Sequence, residues 1–155
     1  MDVNARGPGP GFFSAVVRGE LYAWGGKTGD YFGQKVSCVY RFNHLGEWTE
    51  QECGGQPPTC LYWGASAATD HHLYQYGGYD GSNWYTSLHQ LDVTTWTWRQ
   101  LAADGPRISS LWNVKMLVYG SKLVLFGADY GFLGGIKFTE ENKLYIFDLS
   151  LEEGK

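Results

Sequence analysis

The stretch LYQYGG at Leu73–Gly78 decides the fold, because the chain contains it more than once. LYAWGG at Leu21–Gly26 is another copy, and LVLFGA at Leu123–Ala128 is a divergent third. The first glycines of the copies are 77 − 25 = 52 and 127 − 77 = 50 residues apart, at Gly25, Gly77 and Gly127. A period of about fifty residues predicts a chain built from several copies of one small structural unit.

The composition is typical of a globular β-protein. The 155 residues are enough for one domain with a hydrophobic core. The 22 glycines, with 7 Trp, 11 Tyr and 8 Phe, favour turns and half-buried strands over helices. A net charge of −4 disfavours nonspecific binding to nucleic acid or to an anionic membrane, so we expect neither as a partner.

The three cysteines give information about the cellular compartment in which the protein works. Cys38, Cys53 and Cys60 are odd in number and irregularly spaced, so they make a poor disulfide framework, and no CxxC pair suggests zinc. We expect them to be small buried hydrophobic residues. The chain has no apolar run of membrane-spanning length, and its first residues lack the apolar core of a signal peptide. These features favour the cytoplasm, with the nucleus as the alternative.

The first copy reads as four strands. Phe12–Gly26 predicts a β-hairpin around Arg18-Gly19-Glu20, whose second strand ends at the glycine pair. Val36–Asn43 predicts a third strand, and a fourth contains Trp48.

The second copy repeats this order without gaps. Ser66–Gly78 aligns with Ser14–Gly26, and Tyr79–Tyr85 is the predicted loop after the glycines. Thr86–Asp92 follows as the third strand, and the fourth contains Trp98.

The third copy predicts strands at Trp112–Tyr119 and Lys122–Ala128, then a long loop through Glu140 and a strand at Glu141–Leu149. A tryptophan stands five residues after Asn43 in the first copy and six after Asp92 in the second, but none follows the third strand of this copy. The last unit is therefore predicted to lack its fourth strand.

The repeated Gly-Gly strand, the following strand that ends in Asp and the later Trp resemble the kelch family. The resemblance implies an all-β fold, a partial kelch β-propeller with two four-stranded blades and an incomplete third. Residues 1–11 are predicted to be a flexible lead-in, and residues 12–155 to be kelch repeats. The blades would cover about 12–56, 57–105 and 106–155.

A ring of blades closes only when every sheet face is covered. The missing blades would come from a longer chain or from a second copy of this one, and the absent fourth strand favours the longer chain. The stretch Trp112–Gly134 also resembles the third repeat of kelch-domain-containing substrate receptors of cullin–RING ubiquitin ligases. That resemblance implies capture of a substrate protein or its C-terminal tail.

The candidate binding residues lie mainly in the loops after the glycines, where the copies differ. Large aromatic side chains suit protein recognition, but they also pack over a blade's own sheet. Arg107 follows a Gly-Pro turn between blades and could bind a carboxylate, or else pair with a neighbouring acid on the surface. The predicted set is Tyr31, Phe32, Tyr79, Trp84, Tyr85, Arg107, Tyr130 and Phe132, with Asp80 and Lys137 in the same loops.

Another set of aromatic residues recurs from copy to copy and is predicted to be core. Its members are Trp48, Trp98, Tyr22, Tyr74 and Tyr145.

The sequence favours binding over catalysis. Adjacent His71 and His72 point to opposite faces of a strand, and His44 and His89 lie in different repeats, so we expect no metal and no cofactor. No GxSxG motif or phosphate-binding loop is present. The expected function is a protein- or peptide-binding module that is not an enzyme. The alternatives are a metal-dependent oxidase- or specifier-type kelch propeller and a truncated, non-functional product.

Overall fold

In the computed structural model of the chain, the described residues are 11–26, 38–59, 62–101, 111–131 and 137–151. They form twelve β-strands and one short 3-10 helix, Leu149–Leu151. The strands are β1 (Phe13–Val17), β2 (Glu20–Trp24), β3 (Cys38–Phe42), β4 (Trp48–Glu52), β5 (Gly54–Gly55), β6 (Ala65–Ala68), β7 (His72–Tyr79), β8 (Trp84–Asp92), β9 (Thr97–Leu101), β10 (Leu111–Tyr119), β11 (Lys122–Gly131) and β12 (Lys137–Asp148). None of these ranges contains a helix long and apolar enough to cross a membrane.

The first sheet has the order β1-β2-β3-β4 and is antiparallel throughout. Its predicted hairpin is confirmed, since β1 and β2 are joined by Arg18 and Gly19, with φ angles of 51° and 81°. Two central residues with positive φ make a type I′ turn, whose twist matches that of the paired strands. The predicted fourth strand begins at Trp48.

The second sheet has one strand more than the predicted four. Its order is β5-β9-β8-β7-β6, and β5 comes from the connection after the first sheet. Gly54 and Gly55 pair in parallel with Thr97 and Trp98. The approach is so close that a Cβ at Gly55 would collide with the backbone of Trp98. The connection thereby covers the outer edge of β9, which would otherwise be open to unwanted strand pairing.

The third sheet has the order β10-β11-β12 in the described residues, in agreement with the predicted incomplete blade. Its connection after the glycine is shorter than expected. β11 continues to Gly131 and β12 already begins at Lys137, so the predicted loop through Glu140 was wrong at both ends. The backbone of Tyr130 pairs with that of Phe138, because the ladder continues past a register shift.

The prediction that the glycine pair ends its strand is wrong in the second copy. β7 runs through Gly77 and Gly78 to Tyr79, with a register shift between Tyr76 and Gly78. Gly77 has a φ of 60°, and a Cβ there would lie 2.8 Å from the carbonyl oxygen of Tyr85. Conformation and space therefore both require glycine, and the pair forms a β-bulge beyond which the ladder resumes.

In sequence, Trp48 stands five residues after Asn43 and Trp98 stands six residues after Asp92. Strand pairing shows that the two tryptophans are nevertheless equivalent. Trp48 pairs with Phe42, and Trp98 pairs with Leu91. Phe42 and Leu91 each pair with the first leucine of their own repeat motif. The two tryptophans therefore occupy equivalent positions, and the hairpin before Trp48 is one residue shorter.

The three sheets stack face against face, with their first strands β1, β6 and β10 next to one another. The first interface cluster joins the first two sheets and contains Phe13, Val17, Tyr22, Trp24, Val39, Leu73, Leu91 and Trp98. The second interface cluster joins the last two sheets and contains Ala65, Ala67, Tyr74, Tyr76, Leu88, Leu101, Val114, Met116, Leu123 and Leu125. Burial of these apolar side chains is the main force that holds the sheets together.

The predicted recurrent core is confirmed for Tyr22, Tyr74 and Trp98, which are buried. Trp48 is only half-buried, because it lies on the outermost strand of the first sheet and packs on Phe42 with ring centroids 4.9 Å apart. Tyr145 is also half-buried. It lies in the third strand of its sheet, opposite Leu125, so it is not equivalent to the tyrosines of β2 and β7.

The cysteines differ from their predicted burial. Cys38 and Cys53 are half-buried, and Cys60 lies outside the described residues. Burial, together with the neighbouring Cys38, raises the pKa of Cys53 to about 11. Its thiol is therefore neutral near pH 7 and poorly nucleophilic.

One side of the third sheet carries exposed apolar side chains. Leu117 pairs with Val124, which pairs with Ile146, and Phe126 pairs with Leu144. Alternation along the strands places these residues on one side, here called the outer face. Leu117, Phe126, Leu144 and Ile146 are exposed. The equivalent position to Val124 is Tyr22 in the first sheet and Tyr74 in the second, and each of those is buried against the next sheet.

Candidate binding site at the turn between β7 and β8

The structure brings together the candidate residues of the second copy, Tyr79, Trp84 and Tyr85, and describes their side chains. For Tyr130 and Lys137 it describes only the backbone, within β11 and β12. The remaining candidates lie outside the described residues; they are Tyr31, Phe32, Arg107 and Phe132.

The predicted loop Tyr79–Tyr85 was too long. Tyr79 is the last residue of β7, and Trp84 and Tyr85 are the first residues of β8. Tyr79 pairs with Trp84, and Gly78 pairs with Tyr85, because the glycine bulge lets the ladder continue. The connection is reduced to residues 80–83, and the aromatic side chains stand on paired strands at its base.

Asp80 organises the turn. Its Oδ1 accepts hydrogen bonds from the backbone N–H groups of Ser82 at 2.8 Å and Asn83 at 2.7 Å. Its Oδ2 accepts a hydrogen bond of 2.7 Å from the hydroxyl of Tyr85. A second tyrosine, Tyr79, donates its hydroxyl to the carbonyl of Gly81 at 2.8 Å. This Asx-type arrangement fixes a turn of four residues by side-chain hydrogen bonds.

The same contacts keep Asp80 ionised. Its partial burial acts to raise the pKa, but the hydrogen bonds from Tyr85, Asn83 and Ser82 outweigh that effect and lower the pKa of the carboxyl below its usual value. The hydrogen bond to Asp80 in turn raises the pKa of the Tyr85 hydroxyl. The turn therefore carries a negative charge at neutral pH.

Two residues absent from the predicted set complete the site. The N–H of Tyr62 donates to the carbonyl of Tyr79 at 3.1 Å, and the N–H of Tyr79 donates to the carbonyl of Tyr62 at 2.8 Å. This isolated bridge lies just before β6 and brings Trp63 beside the end of β7. Sequence reasoning missed both residues because it searched only the loops after the glycines.

Tyr62, Trp63, Tyr79 and Trp84 form what is here called the aromatic cluster. The Trp63 and Tyr79 rings are nearly parallel, at 8° with centroids 6.3 Å apart. Tyr62 meets both edge-on, at 4.8 Å from Trp63 and 5.7 Å from Tyr79. Trp84 follows the turn at residues 80–83, and its ring centroid lies 4.8 Å from that of Tyr79. Offset-parallel and edge-on arrangements are those that aromatic rings prefer.

The backbone conformation at Trp63 directs its side chain away from the sheet. Its φ is 66°, in the left-handed region that bulky residues rarely adopt, and 54% of its surface is exposed. The next residue, Gly64, is pressed against β7, since a Cβ there would lie 2.5 Å from the carbonyl oxygen of Tyr76. The chain therefore turns sharply before β6, and that turn directs the indole away from the sheet.

The first sheet contains the same backbone turn without the tryptophan. Gly11 precedes Ser14 by three residues as Trp63 precedes Ser66, and Gly11 has a φ of 78°. The conformation is thus a feature of the repeat, and glycine adopts it without strain. Placing tryptophan there costs on the order of 1–2 kcal/mol. This alignment of Gly11 with Trp63 is the sequence signal that could have revealed the site.

The arrangement offers several kinds of contact group to a binding partner. It combines exposed indole surface, tyrosine rings and one carboxylate on a rigid turn. Within the described ranges, no group of three or more His, Cys, Asp or Glu side chains lies close enough to hold a metal ion.

Comparison with known proteins agrees with the stacked sheets. Residues 11–153 match the model of the KLHDC2/KLHL20/DRC7 Kelch-repeats domain. Kelch domain-containing protein 10 of Xenopus laevis is 33% identical over 98 residues, which are 60% of this chain and 23% of that protein. The protein of the same name from Homo sapiens is 32% identical over 93 residues, 57% of this chain and 20% of that protein.

A plant relative matches a shorter stretch. Acyl-CoA-binding domain-containing protein 5 of Arabidopsis thaliana is 34% identical over 55 residues, 36% of this chain and 8% of that protein. Less than a quarter of each of these relatives is thus covered. The family match extends over nearly the whole chain and coincides with three stacked, mainly antiparallel sheets. The chain therefore belongs to the kelch-repeat family, and its sheets are blades of a partial kelch β-propeller.

Proposed function

We propose that the chain is a protein- or peptide-binding kelch module, not an enzyme, and that the aromatic cluster is part of its binding surface. The observation that carries this proposal is Trp63, which is more than half exposed in a strained backbone conformation. Strain of this kind persists where the surrounding structure imposes it, and it concentrates at binding and active sites.

The cluster has the properties of a recognition surface. Tryptophan and tyrosine provide large, rigid contact areas with few rotatable bonds, so they lose little entropy when a partner binds. Trp63 packs edge-on against Tyr62, which is buried, and parallel to Tyr79. A partner would therefore meet a preformed surface and would not have to order it.

The finer proposal is that this surface serves the substrate-recognition part of a ubiquitin-ligase receptor. It is supported by the resemblance of Trp112–Gly134 to the third repeat of such receptors. The protein works, in this proposal, in the cytoplasm, where a thiol such as that of Cys53 stays reduced. Affinity purification of the full-length protein from cells tests it. Recovery of cullin and elongin supports the receptor role, and a partner set without either contradicts it.

The outer face of the third blade is proposed to pack against a further kelch blade. Its exposed side chains occupy positions that are buried between blades elsewhere in the chain. The further blade comes from a longer polypeptide or from a second copy of this chain. The solution mass of the chain, alone and within its full-length form, distinguishes the two sources.

Selection from a random peptide library displayed on phage tests the binding function. Peptides selected on the wild-type protein are measured again on the variant Trp63→Gly, which keeps the backbone turn because Gly11 adopts it in the first blade. We expect binding to fall at least tenfold.

The matched control is Trp96→Gly. Trp96 also has a positive φ, 54°, and Gly46 holds its equivalent position with a φ of 82°. It lies in the hairpin after β8, at the other end of the blade from the aromatic cluster. The variant also loses the contact of Trp96 with Tyr22 in the first interface cluster, so thermal unfolding is used to check that it is folded. The folded variant should retain binding. Failure to select any peptide, or equal losses in the two variants, would contradict the proposed function.

A further inference from the structure

We propose that one edge of β12 binds an extended segment of a separate polypeptide, which pairs antiparallel with β12 as the fourth strand of the third blade. It is the edge that does not pair with β11, and it is here called the acceptor edge. The segment has an aromatic residue opposite Phe147 and apolar residues opposite Ile146 and Leu144. The acceptor edge is distinct from the aromatic cluster, so the inference goes beyond the proposed function.

The first argument is the strand order of the blades. In the second blade the third strand, β8, pairs with β7 on one side and with β9 on the other. The third strand of the third blade is β12, which pairs with β11, and no strand of the described ranges pairs with its acceptor edge. An extended peptide that adds to such an edge gains main-chain hydrogen bonds, and its alternate side chains give specificity.

The second argument is the turn after the third strand, which in the second blade leads to β9. Oδ1 of Asp92 accepts hydrogen bonds from the N–H of Thr94 at 2.7 Å and from its hydroxyl at 2.6 Å. The N–H of Val93 donates to the carbonyl of His71 at 3.0 Å. These bonds fix the start of the turn.

The third blade repeats this set of hydrogen bonds. Oδ1 of Asp148 accepts from the N–H of Ser150 at 3.1 Å and from its hydroxyl at 2.6 Å. The N–H of Leu149 donates to the carbonyl of Ser121 at 2.8 Å. The end of β12 therefore has the geometry that precedes a fourth strand in the second blade.

The residue at the place of Trp98 is not aromatic in this copy. Trp98 stands six residues after Asp92, and Gly154 stands six residues after Asp148. Glycine has no side chain to pack and weakens a strand. For this reason we assign the aromatic residue of the fourth strand to a separate polypeptide.

The third argument is the burial of Phe147. Phe147 and Leu91 are equivalent, because each pairs with the first leucine of its own repeat motif. Leu91 also pairs with Trp98 and is completely buried. Phe147 packs against the second interface cluster but is only half-buried. An aromatic residue opposite Phe147 would extend that cluster, as Trp98 does in the first interface cluster.

The neighbouring positions determine the other side chains of the segment. In the second blade, Gln90 lies opposite Arg99 and accepts a hydrogen bond from its Nε. By the same strand register, the equivalent of Gln90 in the third blade is Ile146. Ile146 and Leu144 are exposed and apolar, so they favour apolar residues opposite them.

Fluorescence anisotropy of capped, labelled peptides mixed with the full chain provides the test. The lead peptide is Gly-Ser-Thr-Trp-Val-Gln-Leu-Ser-Gly, whose centre is the sequence of β9 with Val in place of Arg99. Its counterparts have Ser for Trp, Arg for Val, or Pro-Pro for Val-Gln. Proline cannot donate to a strand ladder. We expect saturable binding of the lead peptide and at least tenfold weaker binding of each counterpart.

Amide hydrogen exchange locates the bound peptide. The lead peptide should slow exchange in β12 and leave it unchanged in β4, whose outer edge also has no partner strand in the described ranges. The variant Ile146→Gln reproduces Gln90 of the second blade. It should bind the Arg peptide at least fivefold more tightly than the lead peptide, whereas the control Leu45→Gln should keep the preference of the wild type.

Four results would overturn the inference. They are no binding of the lead peptide, equal binding of the Ser or Pro-Pro peptide, slowed exchange in β4 instead of β12, and an unchanged preference in Ile146→Gln. A longer, full-length form that does not bind the lead peptide would assign the acceptor edge to its own chain and would also overturn it. None of these results depends on Trp63, so the proposed function is tested separately.

Discussion

The indole N–H of Trp24 donates a hydrogen bond of 2.8 Å to Oε1 of Gln75, and this bond joins the first blade to the second. Both side chains are buried, Gln75 with 1% of its surface exposed. Trp24 also packs on Phe13 within its own blade and on Trp98 of the next. A polar bond at the centre of an apolar interface fixes how the two blades are positioned, since the apolar contacts alone are less directional.

Trp24→Phe should destabilise the chain. The substitution keeps an aromatic ring but removes the donor, which leaves Oε1 of Gln75 buried without this partner. We expect a loss of about 1–3 kcal/mol in the free energy of unfolding, measured by urea denaturation. The double variant Trp24→Phe, Gln75→Leu removes both polar groups and should recover part of the loss. A double variant that is less stable than Trp24→Phe would contradict this account.

Gly77→Ala and Gly120→Ala form a matched pair. The two glycines have nearly the same φ, 60° and 59°, but a Cβ meets the Tyr85 carbonyl at Gly77 and nothing within 4 Å at Gly120. Gly120→Ala should cost about 1–2 kcal/mol of stability from backbone strain alone. Gly77→Ala should cost clearly more, because the bulge must also move. Equal midpoints in denaturation of the two variants would show that the space at the bulge is unimportant.

Stability should depend on pH through His89. Its imidazole is buried, Nδ1 has no hydrogen-bond partner in the described structure, and burial lowers its pKa below the usual 6.5. Its strand partners, Gln75 and Gln100, are uncharged. The unfolded chain therefore binds a proton at a higher pH than the folded chain does. The stability that comes from burying the neutral imidazole is complete above the pKa that His89 has in the unfolded chain. It is lost as the pH falls from there through the pKa that His89 has in the folded chain.

Thermal unfolding at about pH 7.5 and about pH 5.5 measures this effect. The wild type should lose more stability between the two conditions than His89→Gln, which has no imidazole to protonate. The test compares how much the stability of each protein changes with pH. A destabilisation by the substitution that is the same at both pH values therefore does not affect it. Identical slopes in the two proteins would rule out His89 as the titrating group.

Tyr85→Phe should raise the pKa of Asp80. The variant removes the hydroxyl that donates to Oδ2, one of the contacts that outweigh partial burial and keep that pKa low. NMR titration of the aspartate carboxyl carbons provides the measurement. Asp92 is an internal control, because it is held by Thr94 and Thr95 in another hairpin and its pKa should not change. An unchanged Asp80 titration would mean that the donors of Ser82 and Asn83 hold the charge without Tyr85.

Ile146→Thr should reduce self-association of the chain. Ile146 is 58% exposed on the outer face of the third blade, and threonine retains the β-branched shape while it lowers the apolar area. Sedimentation velocity over a concentration series should show weaker association with little change in thermal stability. Leu45→Thr, in the exposed hairpin before β4, is the control and should associate as the wild type does. Equal association of the two variants would exclude the outer face as the contact.

Much of the fold could be predicted because it is local and repeated. The recurrence of Leu73–Gly78 indicated the unit, and the hairpin at Arg18 and Gly19 followed from turn chemistry. The errors arose where strands pair irregularly. The glycine pair was interpreted as a strand end because glycine usually interrupts strands, whereas here it forms a bulge that the ladder passes through.

The residues of the candidate site could be predicted only in part, and whether they bind a partner stays a prediction. Tyr79, Trp84 and Tyr85 were found because they follow the repeat motif, although they lie on strands and not in a loop. Tyr62 and Trp63 precede the motif by ten residues or more in the chain and reach it only through the bridge to Tyr79. No local pattern shows which distant backbone will supply that pairing.

Sequence alone established the family of the fold, its period and its aromatic character, since these depend on local propensity and on comparison of one copy with another. The tertiary structure determined which aromatic side chains are exposed. Trp98 is buried because the first blade covers it, and Trp63 is exposed because Gly64 is pressed against β7 and the backbone turns left-handed before it. Burial depends on what packs above a side chain, and residues far apart in the chain decide that.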